Sequence, residues 1–236
     1  MSGAPKNLPR SLAVRVAGLP DISDPPLEGD RVAEGIMRAA FAALDAGETH
    51  YTDRPGILPL REHAVAQMGR RYGVEIGADA VTITCGAIEA RFVAIKQLVP
   101  SARKIVCVDS TPIVGAAALC GVAITTDISD PAIALAYLSA ADDPARVTAI
   151  ADAANAADWW VIWDMSRDQG GSFHPAQHPN LASRTITIDE PQTMAGWRVG
   201  WMAGSKAANK LRAYKQSMTI CTTSISQWAA LGGDEV

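Results

Sequence analysis

Short apolar runs alternate with longer helix-patterned stretches along most of this chain, and that alternation constrains its fold more than any other feature. Residues 80–84, 104–108, 122–126, 159–163 and 184–188 have the length and composition of strands. Between them, residues 87–98, 111–120 and 143–157 have helical spacing, and a further helical stretch follows Ser205. Strands separated by helices predict an α/β layer with a largely parallel sheet covered on both faces. Upstream, Val32, Ile36, Ala39, Ala40 and Leu44 recur at helical spacing, with Gly47 placed to end that helix, and a second helix is expected over 60–72. Residues 1–30 are rich in Pro and Gly without periodicity. They read as an extended arm, leaving 31–236 as one domain.

Composition excludes several classes of function. With 48% hydrophobic and 19% charged residues, the chain can bury a real core. A formal net charge of −4 provides no basic face for nucleic acid. No apolar run reaches the length of a membrane span, and the first residues lack the apolar core of a signal peptide. Cys85, Cys107, Cys120 and Cys221 are far apart and form no CxxC, as expected for free thiols in a reducing cytoplasm. His174 and His178 lie among Gly170, Gly171, Pro175 and Pro179, a surface-loop composition without the helical register of a metal pair. No metal site is expected.

Three segments have chemical content. In Gly196-Trp197-Arg198-Val199-Gly200-Trp201, an Arg between two glycines can fork toward a phosphate or carboxylate; taken alone, it is also a tight turn with a surface Arg. In Thr84-Cys85-Gly86-Ala87-Ile88-Glu89-Ala90, a strand gives way to a helix. The backbone N–H groups of Gly86, Ala87 and Ile88 then form an anion cradle at the positive end of the helix dipole, or simply an ordinary βα turn. In Trp159-Trp160-Val161-Ile162-Trp163-Asp164, a carboxylate ends an apolar strand, where open α/β sheets place their ligands and where helix caps also occur.

In this order the segments resemble the class I/II, fold type I, pyridoxal-phosphate aminotransferases. Tyr51 through Arg61 is similar to that family's Y-x4-G-x3-LR segment, and Thr84 through Ala90 to its phosphate turn. Val161-Ile162-Trp163-Asp164 resembles the strand whose Asp holds the pyridine nitrogen, and Met194 through Gly200 the region after the Schiff-base lysine. Gly18-Leu19-Pro20-Asp21 resembles the N-terminal arm. The resemblance implies a fold type I large domain with phosphate donors at Gly86, Ala87 and Ile88 and a phosphate partner in Arg198. It further implies a phosphate hydroxyl at Thr187, a Tyr51 that reaches the partner subunit's phosphate in a homodimer, and an Asp164 that keeps the pyridine nitrogen protonated.

The pattern breaks at the position that matters most. The family has a lysine six residues ahead of the glycine of GWR, and this chain has Glu190 there, with no lysine between Lys104 and Lys206. Arg167 stands where a Tyr would meet the ring hydroxyl, and Thr111 where an aromatic would stack on the ring. Asp142 through Arg146 replaces N-P-T-G. The stretch from Pro112 to Asp143 is also short, so a strand or helix of the sheet is expected to be missing. The resemblance further implies that the C-terminal small domain is absent, leaving the apolar face of the helix at 224–231 to meet another chain, in a homodimer or hetero-oligomer.

These departures point to a pseudoenzyme kept as a scaffolding or regulatory subunit. One alternative is an enzyme that binds pyridoxal phosphate or its aminated form non-covalently, with Glu190 as acid or base. Another is one half of a split aminotransferase. If the site is empty, Asp164 and Arg198 are expected to pair with each other or with Glu190.

Overall fold

A computed structural model describes residues 32–167 and 173–233. The arm expected over 1–30, with Gly18-Leu19-Pro20-Asp21, lies outside the described residues. Two helices lead in, α1 (Glu34–Asp45) and α2 (Leu58–Tyr72). There follow β1 (Val81–Thr84), α3 (Gly86–Leu98), β2 (Lys104–Cys107), α4 (Val114–Cys120), β3 (Ala123–Thr125) and β4 (Ile133–Ser139). Next come α5 (Pro144–Ala156), β5 (Trp160–Asp164), α6 (Pro179–Ala182), β6 (Thr185–Asp189), β7 (Gly200–Ala203), α7 (Ala208–Thr219) and α8 (Ser224–Ala230).

The strands form one seven-stranded sheet in the order β1-β7-β6-β5-β4-β2-β3. Strand β7 runs antiparallel to both of its neighbours, and the remaining pairs are parallel. Side chains alternate between two cores because successive residues of a strand face opposite sides. On one side Val106, Leu138, Val161, Trp163 and Ala203 pack with Ala64 and Met68 of α2 and Ile150 of α5. On the other, Tyr137, Ile162, Ile186, Ile188 and Met202 pack with Ala87, Ala90 and Val93 of α3 and Leu211 of α7. Burial on both faces is why these strands read as continuous apolar runs rather than alternating ones.

Two strands extend the sequence reading. The stretch between Pro112 and Asp143, expected to lack a strand or helix, supplies α4, β3 and the inner strand β4, and β3 passes to β4 with no helix between them. Strand β4 is Ile-Ala-Leu-Ala-Tyr-Leu-Ser, buried throughout apart from one half-buried Ala. Its alanines and leucines favour helix intrinsically, and tertiary burial overrides that preference. Strand β7 directly follows the GWRV turn and fills the slot between β1 and β6.

The final helix also departs from expectation. Its face is covered by α1 and α2 of the same chain. Gly35 of α1 meets the backbone of Gly232, where a Cβ on Gly35 would lie 2.2 Å from the Gly232 carbonyl oxygen. The Gln227 side chain accepts a hydrogen bond from the Ile57 amide at 2.8 Å and donates to the Thr222 carbonyl at 2.8 Å and to Thr52 Oγ1 at 3.1 Å. The exposed apolar side chains lie one layer further out, on α1, at Met37, Phe41 and Leu44.

Candidate functional site

The site lies at the C-terminal ends of β5 and β6, against the first turns of α3. Gly86 opens α3 with φ +77, a left-handed conformation suited to glycine. A Cβ at Gly86 would lie 2.5 Å from the Arg198 guanidinium and 2.6 Å from a Glu190 carboxylate oxygen. Gly200 is equally confined, since its Cβ would meet the Asp189 carbonyl at 2.7 Å and the Gly86 backbone at 3.0 Å. The glycines around GWR thus let β7 press against the turn. Arg198 takes φ 52 and ψ 52, an uncommon left-handed conformation for a side-chain-bearing residue, and this bends the chain back over the turn.

Asp164 ends β5 with no exposed surface. Oδ2 accepts from Arg91 Nε at 2.7 Å and from the Tyr137 hydroxyl at 2.6 Å. Oδ1 accepts from the Ser166 amide at 3.0 Å and the Ser166 hydroxyl at 2.6 Å. A carboxylate offers about four lone-pair directions, and all of them are used. Arg91, on the second turn of α3, also donates to Ser166 Oγ at 2.8 Å. Burial disfavours the Arg91 charge, but the Asp164 carboxylate outweighs it and holds the guanidinium above its ordinary range. Burial, reinforced by the same carboxylate, pushes the Tyr137 phenol up, so it remains a donor.

At the other end, Glu190 Oε2 accepts from the Ala87 amide at 2.8 Å. The same oxygen stands 3.9 Å from Arg198 Nη1, and Arg198 donates to the carbonyls of Cys85 at 3.0 Å and Ala195 at 3.1 Å. Glu190 also adds its charge to the field that sustains Arg91. The result is an alternating series of charges: Asp164, Arg91, Glu190, Arg198. Of the pairings expected from the sequence, Arg198 with Glu190 is present as a long, half-exposed contact, and Asp164 turns instead to Arg91.

The structure brings Gly86, Ala87, Ile88, Asp164, Glu190 and Arg198 into this region. Thr187 faces the opposite side of the sheet from α3, in register with Trp163 and Ala203, and its hydroxyl lies 3.0 Å from His174 Nε2. It therefore cannot share an anion with the Gly86 turn in this arrangement. Tyr51 is 68% exposed with its ring against His50, and Ile88 follows Ala87 in the first turn of α3, so its backbone N–H stays at the turn while its side chain is exposed. Arg167 pairs with Asp109 at 2.8 Å. In the Tyr51–Arg61 segment, Arg61 is buried and donates to the carbonyls of Gly56 at 3.1 Å and Ala78 at 3.0 Å, so it supports the loop. Arg91 and Tyr137 were not singled out from sequence. An Arg flanked by Ala90, Phe92 and Val93 in a helix and a Tyr inside an apolar strand are the signals that could have found them.

His174 is fully buried, contrary to the surface loop read from its neighbours. Its Nδ1 accepts from the Ala176 amide at 3.0 Å, so the neutral ring carries its proton on Nε2 and donates to Thr187. Burial lowers its pKa to about 3. Asp189, on the same face of β6, goes the other way: burial raises its pKa to about 7. These shifts oppose each other in the pH dependence of stability. The depressed His174 stabilises the fold above its unfolded value of about 6.5, and that contribution is lost as pH falls toward 3. The raised Asp189 stabilises the fold below its unfolded value near 4, and that contribution is lost as pH rises toward 7. From about pH 4 to 6.5 the two slopes cancel. Asp189→Asn is therefore expected to expose the histidine's slope, up to about 1.4 kcal/mol per pH unit of stability lost on acidification. Urea denaturation from pH 4 to 7 checks this, and parallel profiles for variant and wild type would contradict it.

No family model matches the chain. Among curated proteins, it is 26% identical over 219 residues to arginine–pyruvate transaminase AruH of Pseudomonas aeruginosa, covering 79% of this chain and 55% of that protein. It is 26% identical over 257 residues to an aspartate aminotransferase of Rhizobium meliloti, covering 91% of this chain and 60% of that one. Among solved structures, N-succinyldiaminopimelate aminotransferase from Mycobacterium tuberculosis superposes with a TM-score of 0.73 at 25% identity, over 93% of this chain and 66% of that one. These curated relatives and structure neighbours are aminotransferases of the pyridoxal-phosphate fold type I class. The chain spans little more than half the length of these curated relatives.

The aminotransferase fold implies pyridoxal phosphate, and the side chains can be tested against it. A pyridinium N–H needs a free lone pair on Asp164, and every one has a donor. A phosphate needs the Ala87 amide, which is bonded to a carboxylate of the same charge sign as the phosphate. As these residues stand, the cofactor does not fit at either end. Among the described residues there is also no cluster that could hold a metal ion and no helix long and apolar enough to cross a membrane.

Proposed function

We propose that this aminotransferase-like chain is a pseudoenzyme without a Schiff-base lysine, kept as a scaffolding or regulatory subunit of an oligomer. The observation that carries this reading is Glu190, six residues ahead of Gly196, with its carboxylate on the Ala87 amide. Transamination needs an amine there, first as the nucleophile that holds the cofactor and then as the base that moves the α-proton. A carboxylate cannot form the imine. Lys215 is no substitute: it is fully buried, with Nζ 3.0 Å from Thr219 Oγ1 and 3.7 Å from Glu89. The apolar side chains of α1, with Phe41 58% exposed, supply a surface for another subunit, either a second copy or a different chain. Four free thiols favour a reducing, cytoplasmic setting.

Mixing the protein with pyridoxal phosphate, reducing with borohydride and mapping peptides tests the reading. The expected result is no stoichiometric adduct on any one lysine and no amino-group transfer between an amino acid and a 2-oxo acid. A single trapped lysine accompanied by transfer would overturn it.

A further inference from the structure

We infer that this chain excludes the cofactor by filling both ends of the old site with its own charges, Arg91 in place of the pyridinium and Glu190 in place of the phosphate. The inference deepens the proposed function, since it concerns how that site became closed.

The signs of the charges support it. A bound pyridoxal phosphate would present a protonated nitrogen to Asp164 and a phosphate to the α3 turn. The chain presents a guanidinium to Asp164 at 2.7 Å and a carboxylate to the Ala87 amide at 2.8 Å. Each surrogate has the sign of the group it stands for, so the electrostatics of Asp164, of the helix dipole and of Arg198 are satisfied without a ligand. Satisfaction also makes entry costly. A ligand nitrogen must displace a buried guanidinium and strand it from water, and a phosphate must approach a like charge held over its own cradle.

The two ends are closed to different degrees. Arg91 and Asp164 have side-chain exposures of 9% and 0%, a buried closure. Glu190 and Arg198 are at 23% and 45%, a closure that a side-chain rotation could open. The phosphate end is therefore where a single substitution should act without disturbing the core.

Equilibrium dialysis with pyridoxamine phosphate, which has no aldehyde to react with lysines, separates these contributions. Glu190→Ala frees the Ala87 amide and is expected to bind at least tenfold more tightly than wild type. Adding Arg91→Gln, which frees a lone pair of Asp164, is expected to add a further tenfold. Inorganic phosphate should follow the first change and ignore the second. Equal affinities of wild type and Glu190→Ala, whether both bind or neither does, would overturn the inference. That comparison stands even if the double variant fails to fold. The borohydride experiment is separate: a trapped lysine in wild type removes the pseudoenzyme reading, whereas the dialysis ratio decides the occlusion.

Discussion

Arg91→Met is expected to destabilise the folded chain by about 3–5 kcal/mol, the cost of leaving a buried carboxylate without its cation. Asp164 has no exposed surface from which water could replace the guanidinium, and Arg91 reaches it at 2.7 Å from the second turn of α3. Tyr137 and Ser166 would remain as donors, but neither is charged. Removing both charges together, as Arg91→Met with Asp164→Leu, should recover part of the stability, because an apolar pair avoids the desolvation of either ion but leaves the buried Tyr137 hydroxyl without its acceptor. Urea midpoints of the two variants decide the matter. A loss below about 1 kcal/mol for the single variant would mean that the pair is not what holds α3 to β5.

Gly56→Ala is the second large effect. Gly56 has φ +98, and a Cβ there would lie 2.2 Å from Ile83 Cγ1 and 2.8 Å from Gln227 Oε1. The backbone conformation alone costs about 1–2 kcal/mol for an alanine, and the overlap with a buried strand adds about 1–3 kcal/mol. The loop cannot yield cheaply, because the Gly56 carbonyl accepts from Arg61 and the next amide donates to Gln227. A fall in Tm of about 4–20 °C is expected from a total of this size. Gly47→Ala is the matched control, with φ +77 and nothing within 4 Å of its Cβ. It should lose only the conformational part, so similar losses in both variants would show that packing at Gly56 contributes nothing.

Much of the architecture was legible in the chain, for a physical reason. A sheet buried on both faces imposes long apolar runs separated by helical crossovers, and five of the seven strands announced themselves that way. The two that did not, β4 and β7, are an Ala-Leu run whose period is ambiguous and a strand that shares its start with a turn motif. At the site, Gly86, Ala87, Asp164, Glu190 and Arg198 were recognisable because backbone conformation and motif order fix them. Arg91 and Tyr137 were not, since their meaning depends on a partner 73 and 27 residues away in sequence. Thr187 was misplaced for a simpler reason. Its position in the chain is near the site, but the two-residue period of β6 turns it to the other face.

The sheet order also has a consequence for synthesis. Among the described residues, strand β1 pairs only with β7, which lies more than a hundred residues later in the chain, whereas β2 through β6 find partners among themselves. A nascent chain can thus assemble the parallel centre of the sheet while β1 still waits with neither edge satisfied. It can dock only after residue 203 has left the ribosome, several seconds behind at typical elongation rates of about 5–20 residues per second. During that interval a strand destined for burial and the turn that follows it stand unpaired, which makes the earliest of the described strands the last to be protected from aggregation.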